Sequence, residues 1–154
     1  MKKSTFTSML NEIKELVEFA INDKTSDNKF VNLGLLSSTE VKKIKAKTSL
    51  DLSGYSRILD KSSIKHTIKQ HGNMKKEQSR GQIAITPLYF ELVKEIAKSE
   101  NLIYCSKNKL GNDCLFYEAF IGKLIFYIEE VRVGRKQLCL QTMYKRKKPT
   151  QVGF

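Results

Sequence analysis

The sequence predicts an α+β fold in which N-terminal helices precede a four-stranded antiparallel β-sheet. Three observations point there. Apolar residues recur at helical spacing through the first part of the chain, ending near Ser99. From Leu102 the period becomes strand-like, in segments rich in Ile, Leu, Phe, Tyr and Val. Asn112, Gly122 and Gly134 then punctuate those segments at hairpin spacing. Helices followed by an antiparallel meander make an α+β domain.

Taken in order, Phe6, Leu10, Ile13, Val17, Ala20 and Ile21 put residues 7–22 on an amphipathic helix. Asp23 to Lys29 is a polar break suited to a linker, dividing the chain into residues 1–29 and a main domain, 30–154. Phe30, Val31, Leu33, Leu35 and Leu36 form a short apolar stretch around Gly34. Ser38 or Thr39 caps a helix to about Lys47, with Val41 and Ile44 inward. Leu50 to Tyr55, with Gly54, is expected to turn into the next helix, from about Lys61 to His71. Ser62 or Ser63 would cap it, and a left-handed Gly72 would stop it. A charged loop follows to Gly81. Thr86 at N-cap and Pro87 at the first helical position then start a helix carrying Leu88, Leu92 and Ile96 on one face. The expected strands are 102–106, 114–121, 123–133 and 136–145. In the last, Leu138, Leu140, Thr142 and Tyr144 are expected on one face.

With 154 residues and a 40% hydrophobic fraction, the chain can bury a core of its own. No run approaches the roughly 18 apolar residues of a membrane span. Asn11, Glu12, Lys14 and Glu15 interrupt the stretch where a signal peptide would be apolar, so the expected site of action is cytoplasmic. The three cysteines, Cys105, Cys114 and Cys139, contain no CxxC pair and are expected to be packed thiols. No cofactor is implied.

The net charge is +12, and it is localised. Residues 61–80 hold six basic residues and one acidic, and residues 123–154 hold eight and two; together they carry nearly the whole excess. Clustering of this kind is the electrostatic footprint of a polyanion partner. A solvated basic face is the plainer account of any single run, such as Lys145-Arg146-Lys147-Lys148.

The two histidines, His66 and His71, lie inside the first of these segments. Five residues are about 500° of helix, which sets them roughly 140° apart unless the helix ends between them. Zinc ligands would want a spacing of three or four and further partners, so no metal is expected. Cutting RNA without a metal needs a base for the ribose 2′-hydroxyl, an acid for the leaving 5′-oxygen, and donors or cations for the phosphorane. Histidine serves either proton-transfer role near neutrality. Against this stands a packed His66 and a His71 that only caps its helix. Thr142 and Tyr144 on one strand face would bring a hydroxyl and a phenol to the same phosphate, though ordinary β-propensity explains a Thr–Tyr pair equally. Phe126, Tyr127 and neighbouring lysines suggest an aromatic and basic RNA surface, or simply sheet core.

Leu52 to Gly72 (LSGYSRILDKSSIKHTIKQHG), Glu77, Arg80-Gly81-Gln82 and Ile85-Thr86 resemble the phage-associated nucleases of the barnase–EndoU–colicin–RelE superfamily. Tyr127 to Lys136 and Leu140 to Lys145 are similar as well, so the likeness spans roughly residues 30–154. The resemblance implies metal-independent RNA cleavage by a toxin of phage or mobile-element origin. It also implies a helix histidine acting with strand-borne polar groups: His66, with His71 second, plus Thr142 and Tyr144. Glu77 and Arg80 match the family's loop without an assigned step.

The expected reaction is 2′-hydroxyl attack, giving a 2′,3′-cyclic phosphate. Lys65, Lys69, Arg80, Lys123, Arg132 and Lys145 are the expected RNA contacts. An acidic immunity or antitoxin protein is the expected protein partner. The rival reading is a non-catalytic RNA-binding or interaction module on the same fold.

Overall fold

The computed structural model describes residues 2–22 and 28–146, with side chains from residue 8 onward. Residues 23–27 of the polar break, and Lys147 and Lys148 of the basic end, lie outside the described residues. Helix α1 (Lys2–Asn22) is followed by strand β1 (Phe30–Leu35), helix α2 (Ser38–Thr48) and strand β2 (Ser56–Asp60). Helices α3 (Lys61–His71) and α4 (Met74–Ser79) lead to the two-residue strand β3 (Gln82–Ile83). A 3-10 segment (Pro87–Leu92) runs into helix α5 (Val93–Ile96), and a further 3-10 turn (Ser99–Asn101) precedes β4 (Leu102–Lys107). Strands β5 (Asp113–Ile121), β6 (Lys123–Arg132) and β7 (Gln137–Arg146) complete the order.

The α+β class holds, but the sheet is larger than four strands. Strands β4 to β7 form the expected antiparallel meander. Beyond β7 the sheet continues through β2 and β1, in the order β1-β2-β7-β6-β5-β4, with β3 also on β7. The β2–β7 pairing is parallel, so the sheet is mixed. Ser56–Asp60 shows no polar–apolar alternation because its last four residues are all buried. A strand buried on both faces hides its period. The turn expected at Leu50 to Tyr55 is present, but it leads into this unexpected strand, which helix α3 follows with no loop between them.

Helix α3 forms where its spacing predicts. Its cap is Asp60 instead of a serine: the Asp60 carboxylate accepts from the Ser63 backbone N–H at 2.8 Å. Gly72 is not left-handed. Its φ is −96°, and its N–H donates to the Ile68 carbonyl at 2.7 Å. The reason for glycine is close approach, since a Cβ there would lie 2.5 Å from the Ile68 carbonyl oxygen. Gly72→Ala should destabilise the protein by about 1–3 kcal/mol through the forced shift of that last turn. An unchanged urea midpoint would show that the turn yields freely. The segment expected as a charged loop contains α4, capped by Asn73 on the Lys76 N–H at 3.0 Å. Thr86 starts the Pro87 segment without a side-chain cap bond, and its first six residues are 3-10.

Side chains of α1 (Ile13, Leu16, Val17, Ala20) share one buried cluster with Ile44, Ile64, Phe90, Val93 and Ile96. The inward sheet residues Leu115, Tyr117, Ile125, Tyr127, Leu138, Leu140 and Met143 belong to the same cluster. Register decides what faces the other way. Ile128 pairs with Thr142 but Glu129 pairs with Leu140, so Gln141 is an extra residue in β7. This bulge corrects the expected face. Leu138 and Leu140 point into the core, while Thr142 and Tyr144 lie on the opposite side with Phe126 and Ile128.

Buried within the core side is one charged network. Arg57 donates to Glu129 through Nε at 2.7 Å and Nη2 at 3.0 Å, and the Tyr117 hydroxyl donates to the same carboxylate at 2.7 Å. Burial works against the Arg57 charge, but the Glu129 carboxylate more than offsets it and raises the guanidinium's affinity for its proton. Burial, then Glu129, pushes the Tyr117 phenol well up.

Candidate active site

The outer face of β4–β7 meets the end of α3 at His71. Helix α3 terminates there, the chain turns through Gly72 and Asn73, and α4 returns Glu77 to the imidazole. Glu77 is fully buried, and its Oε1 lies 2.8 Å from His71 Nδ1. Its second oxygen, Oε2, accepts from Arg80 Nη1 at 2.9 Å. Arg80 Nη1 also donates to the Gln70 carbonyl at 2.9 Å, tying α4 back onto α3. The His71 carbonyl accepts from the Ile85 N–H at 2.7 Å, so the backbone here is held from both sides. A carboxylate ion-paired with Arg80 only accepts, so the Nδ1 that faces Glu77 carries a hydrogen, and Nε2 is the ring nitrogen left without a protein partner among the described residues.

From His71 a line of rings crosses the sheet. The imidazole is 5.4 Å from the Tyr144 ring, and Tyr144 stacks on Phe126 at 5.0 Å. The Arg146 guanidinium lies over both, 5.5 Å from Phe126 and 5.9 Å from Tyr144. On β4 and β5, Tyr104 and Phe116 stack at 4.4 Å. Burial raises the Tyr144 pKa, opposed by Arg146, so its phenol stays protonated at neutral pH.

The structure brings together His71, Tyr144 and Glu77, and separates them from several other expected site residues. His66 is exposed on α3, and no hydrogen bond or ring contact joins it to Thr142 or Tyr144 among the described residues. Thr142 shares the outer face with Tyr144, but its Oγ1 is buried and has no hydrogen-bond partner among the described residues. Lys145 points to the core side, where its ammonium contacts the Tyr89 hydroxyl at 2.7 Å. Arg132 is held by Asp60 at 3.3 Å and Glu130 at 3.1 Å. Lys65 and Lys69 are exposed on α3, and Lys123 is exposed at the start of β6.

Beyond Arg132 the outer face is polar and internally bonded. Glu130 Oε2 accepts from Asn108 at 2.8 Å and Asn112 at 3.0 Å. Burial raises the Glu130 pKa, but those bonds and Arg132 hold it below the ordinary value. All three cysteines are free thiols; burial pushes Cys114 up to about 11 and Cys139 up to about 12. Protonated thiols of this kind are poor nucleophiles. Among the described residues, no group of three or more His, Cys, Asp or Glu side chains could hold a metal ion. No helix among them is long and apolar enough to cross a membrane.

The outer face of this α+β sheet thus carries an imidazole braced by a buried carboxylate beside a phenol. Residues 36–151 match the model of the phage-Barnase-EndoU-ColicinE5/D-RelE like nuclease 3 family, and the chain belongs to that nuclease family. No curated protein and no solved structure matches the chain significantly.

Glu77, Arg146, Phe116 and Tyr104 are the members of this face that sequence reasoning left without a role. The separation of His71 and Glu77 follows no helical period, because the helix break between them sets it. The outward pair Tyr104–Phe116 is invisible without the β4–β5 register.

Proposed function

We propose that the protein is a metal-independent endoribonuclease of toxin type in which His71 is the proton-transfer residue. The observation that carries this reading is the buried Glu77 carboxylate 2.8 Å from His71 Nδ1, with Tyr144 beside the imidazole. A ring held by one nitrogen offers the other to a substrate. His71 Nε2 takes the proton of the ribose 2′-hydroxyl as O2′ bonds to phosphorus, and Glu77 stabilises the imidazolium that forms. The P–O5′ bond breaks, and the departing 5′-oxygen takes the Tyr144 phenolic proton, which solvent restores. Arg146 and Arg80 supply positive charge for the phosphorane. His66, Lys65 and Lys69 extend a basic helix face along which the RNA backbone runs. The same basic surface suits an acidic inhibitor protein.

The test is cleavage of a defined RNA in the presence of EDTA, with product ends identified by mass. A 2′,3′-cyclic phosphate with a 5′-hydroxyl is expected. Intact RNA that is nevertheless bound in a salt-dependent way would favour a non-catalytic RNA-binding module. Cleavage abolished by EDTA and restored by a divalent ion would replace the mechanism.

A further inference from the structure

The two stacked pairs, Phe126–Tyr144 and Tyr104–Phe116, border a shallow slot of about 140 Å³ on the outer face of β4–β7. Tyr104, Phe116, Glu118, Phe126, Ile128 and Tyr144 line it. Strand register places Glu118 directly opposite Phe126, which is itself opposite Tyr144. Among the described residues the Glu118 carboxylate has no hydrogen-bond or ion-pair partner, and its side chain is exposed. Its negative charge reaches Tyr144, whose proton it helps to retain. An unpaired carboxylate beside the site of a basic protein repels phosphate, so the slot is not another backbone contact. Flat aromatic walls accept a base, and a carboxylate accepts N–H groups.

We propose that this slot is a nucleobase subsite, where an unpaired guanine stacks on the Phe126–Tyr144 pair and donates to Glu118. The inference rests on the RNA reading above and names the substrate feature it selects. Uracil's single ring N–H is flanked by carbonyl oxygens. Cytosine and adenine set an amino group beside a ring acceptor that a carboxylate repels. Guanine alone presents two adjacent donors, N1–H and N2–H, matching the two carboxylate oxygens. Arg146, over the outer rim of the same rings, is available to the attached phosphate. Stacking requires that the base leave any duplex, so the subsite accepts single-stranded or looped RNA.

The experiment measures fluorescence anisotropy with fully 2′-O-methylated pentanucleotides, UUGUU, UUAUU, UUCUU and UUUUU, which 2′-hydroxyl attack cannot cleave. The guanine oligomer should bind the intact protein about tenfold more tightly than the others. Glu118→Gln, checked for folding by circular dichroism, should remove most of that preference; replacing guanine by inosine, which lacks N2–H, should do so in part. Phe116→Leu should weaken all four by about tenfold and keep their ratio. Equal binding of the four by the wild-type protein, or a guanine preference that survives Glu118→Gln, overturns the proposal. Its fate separates from that of the reaction. Base-indifferent cleavage removes the subsite and leaves the nuclease; selective guanine binding without cleavage does the reverse.

Discussion

His71→Ala should lower the rate of RNA cleavage by about 10²–10⁴-fold, the range typical for loss of a positioned general base. RNA affinity should change little, because binding is distributed over phosphate contacts and the ring face. Glu77→Gln should reduce the rate by about tenfold or more, since an amide can present an N–H to Nδ1 and select the wrong tautomer. That substitution leaves the buried volume nearly unchanged, which makes it the sharper of the two. His66→Ala, on the exposed face of the same helix, should raise KM modestly and spare kcat. Single-turnover kinetics on one labelled RNA would separate these cases. Loss of kcat in His66→Ala with retention in His71→Ala would move the catalytic role five residues up the helix.

Breaking the Arg57–Glu129 pair should be the most destabilising polar substitution in the core. Both groups are nearly or fully buried, and each carboxylate oxygen is occupied. Glu129→Ala leaves a guanidinium and a phenol without their acceptor, at a cost of about 3–5 kcal/mol. For a chain of this size that is a fall in Tm on the order of 10 °C. The ion pair itself is a weak source of stability, because desolvating both charges offsets most of their attraction. The triple replacement Arg57→Met, Glu129→Leu, Tyr117→Phe should therefore recover most of what Glu129→Ala loses. Urea unfolding of the wild type and the two variants tests both statements, and a loss below about 1 kcal/mol for Glu129→Ala would show that water reaches the pair.

The parts of this molecule that the sequence disclosed are those with local causes. Helix α3, the meander from Leu102, and the basic clusters follow from period, punctuation and charge. The parts it concealed depend on partners far away in the chain. Strand β2 owes its identity to β7, some eighty residues on, and its uniform burial erased the alternation that would mark it. One inserted residue, Gln141, reversed the facing of Leu138 and Leu140 relative to Tyr144. The candidate site divided the same way. The histidine helix and Tyr144 were visible as residue types in a basic context, but the choice of His71 required the turn at Gly72 that returns Glu77.

The placement of β7 also bears on the order of events during synthesis. This strand is the last among the described residues, yet it lies between β6 and β2, pairs with β3 and supplies Tyr144 and Arg146. A nascent chain that has not reached residue 137 has no strand to join its two halves, and its histidine helix, though it can meet α1, lacks the strand that carries Tyr144. Closure of so distant a contact is slow relative to local helix formation. Ribosome-bound and prematurely terminated chains should consequently be inert toward RNA, and activity should arise late and all at once, when the final strand docks.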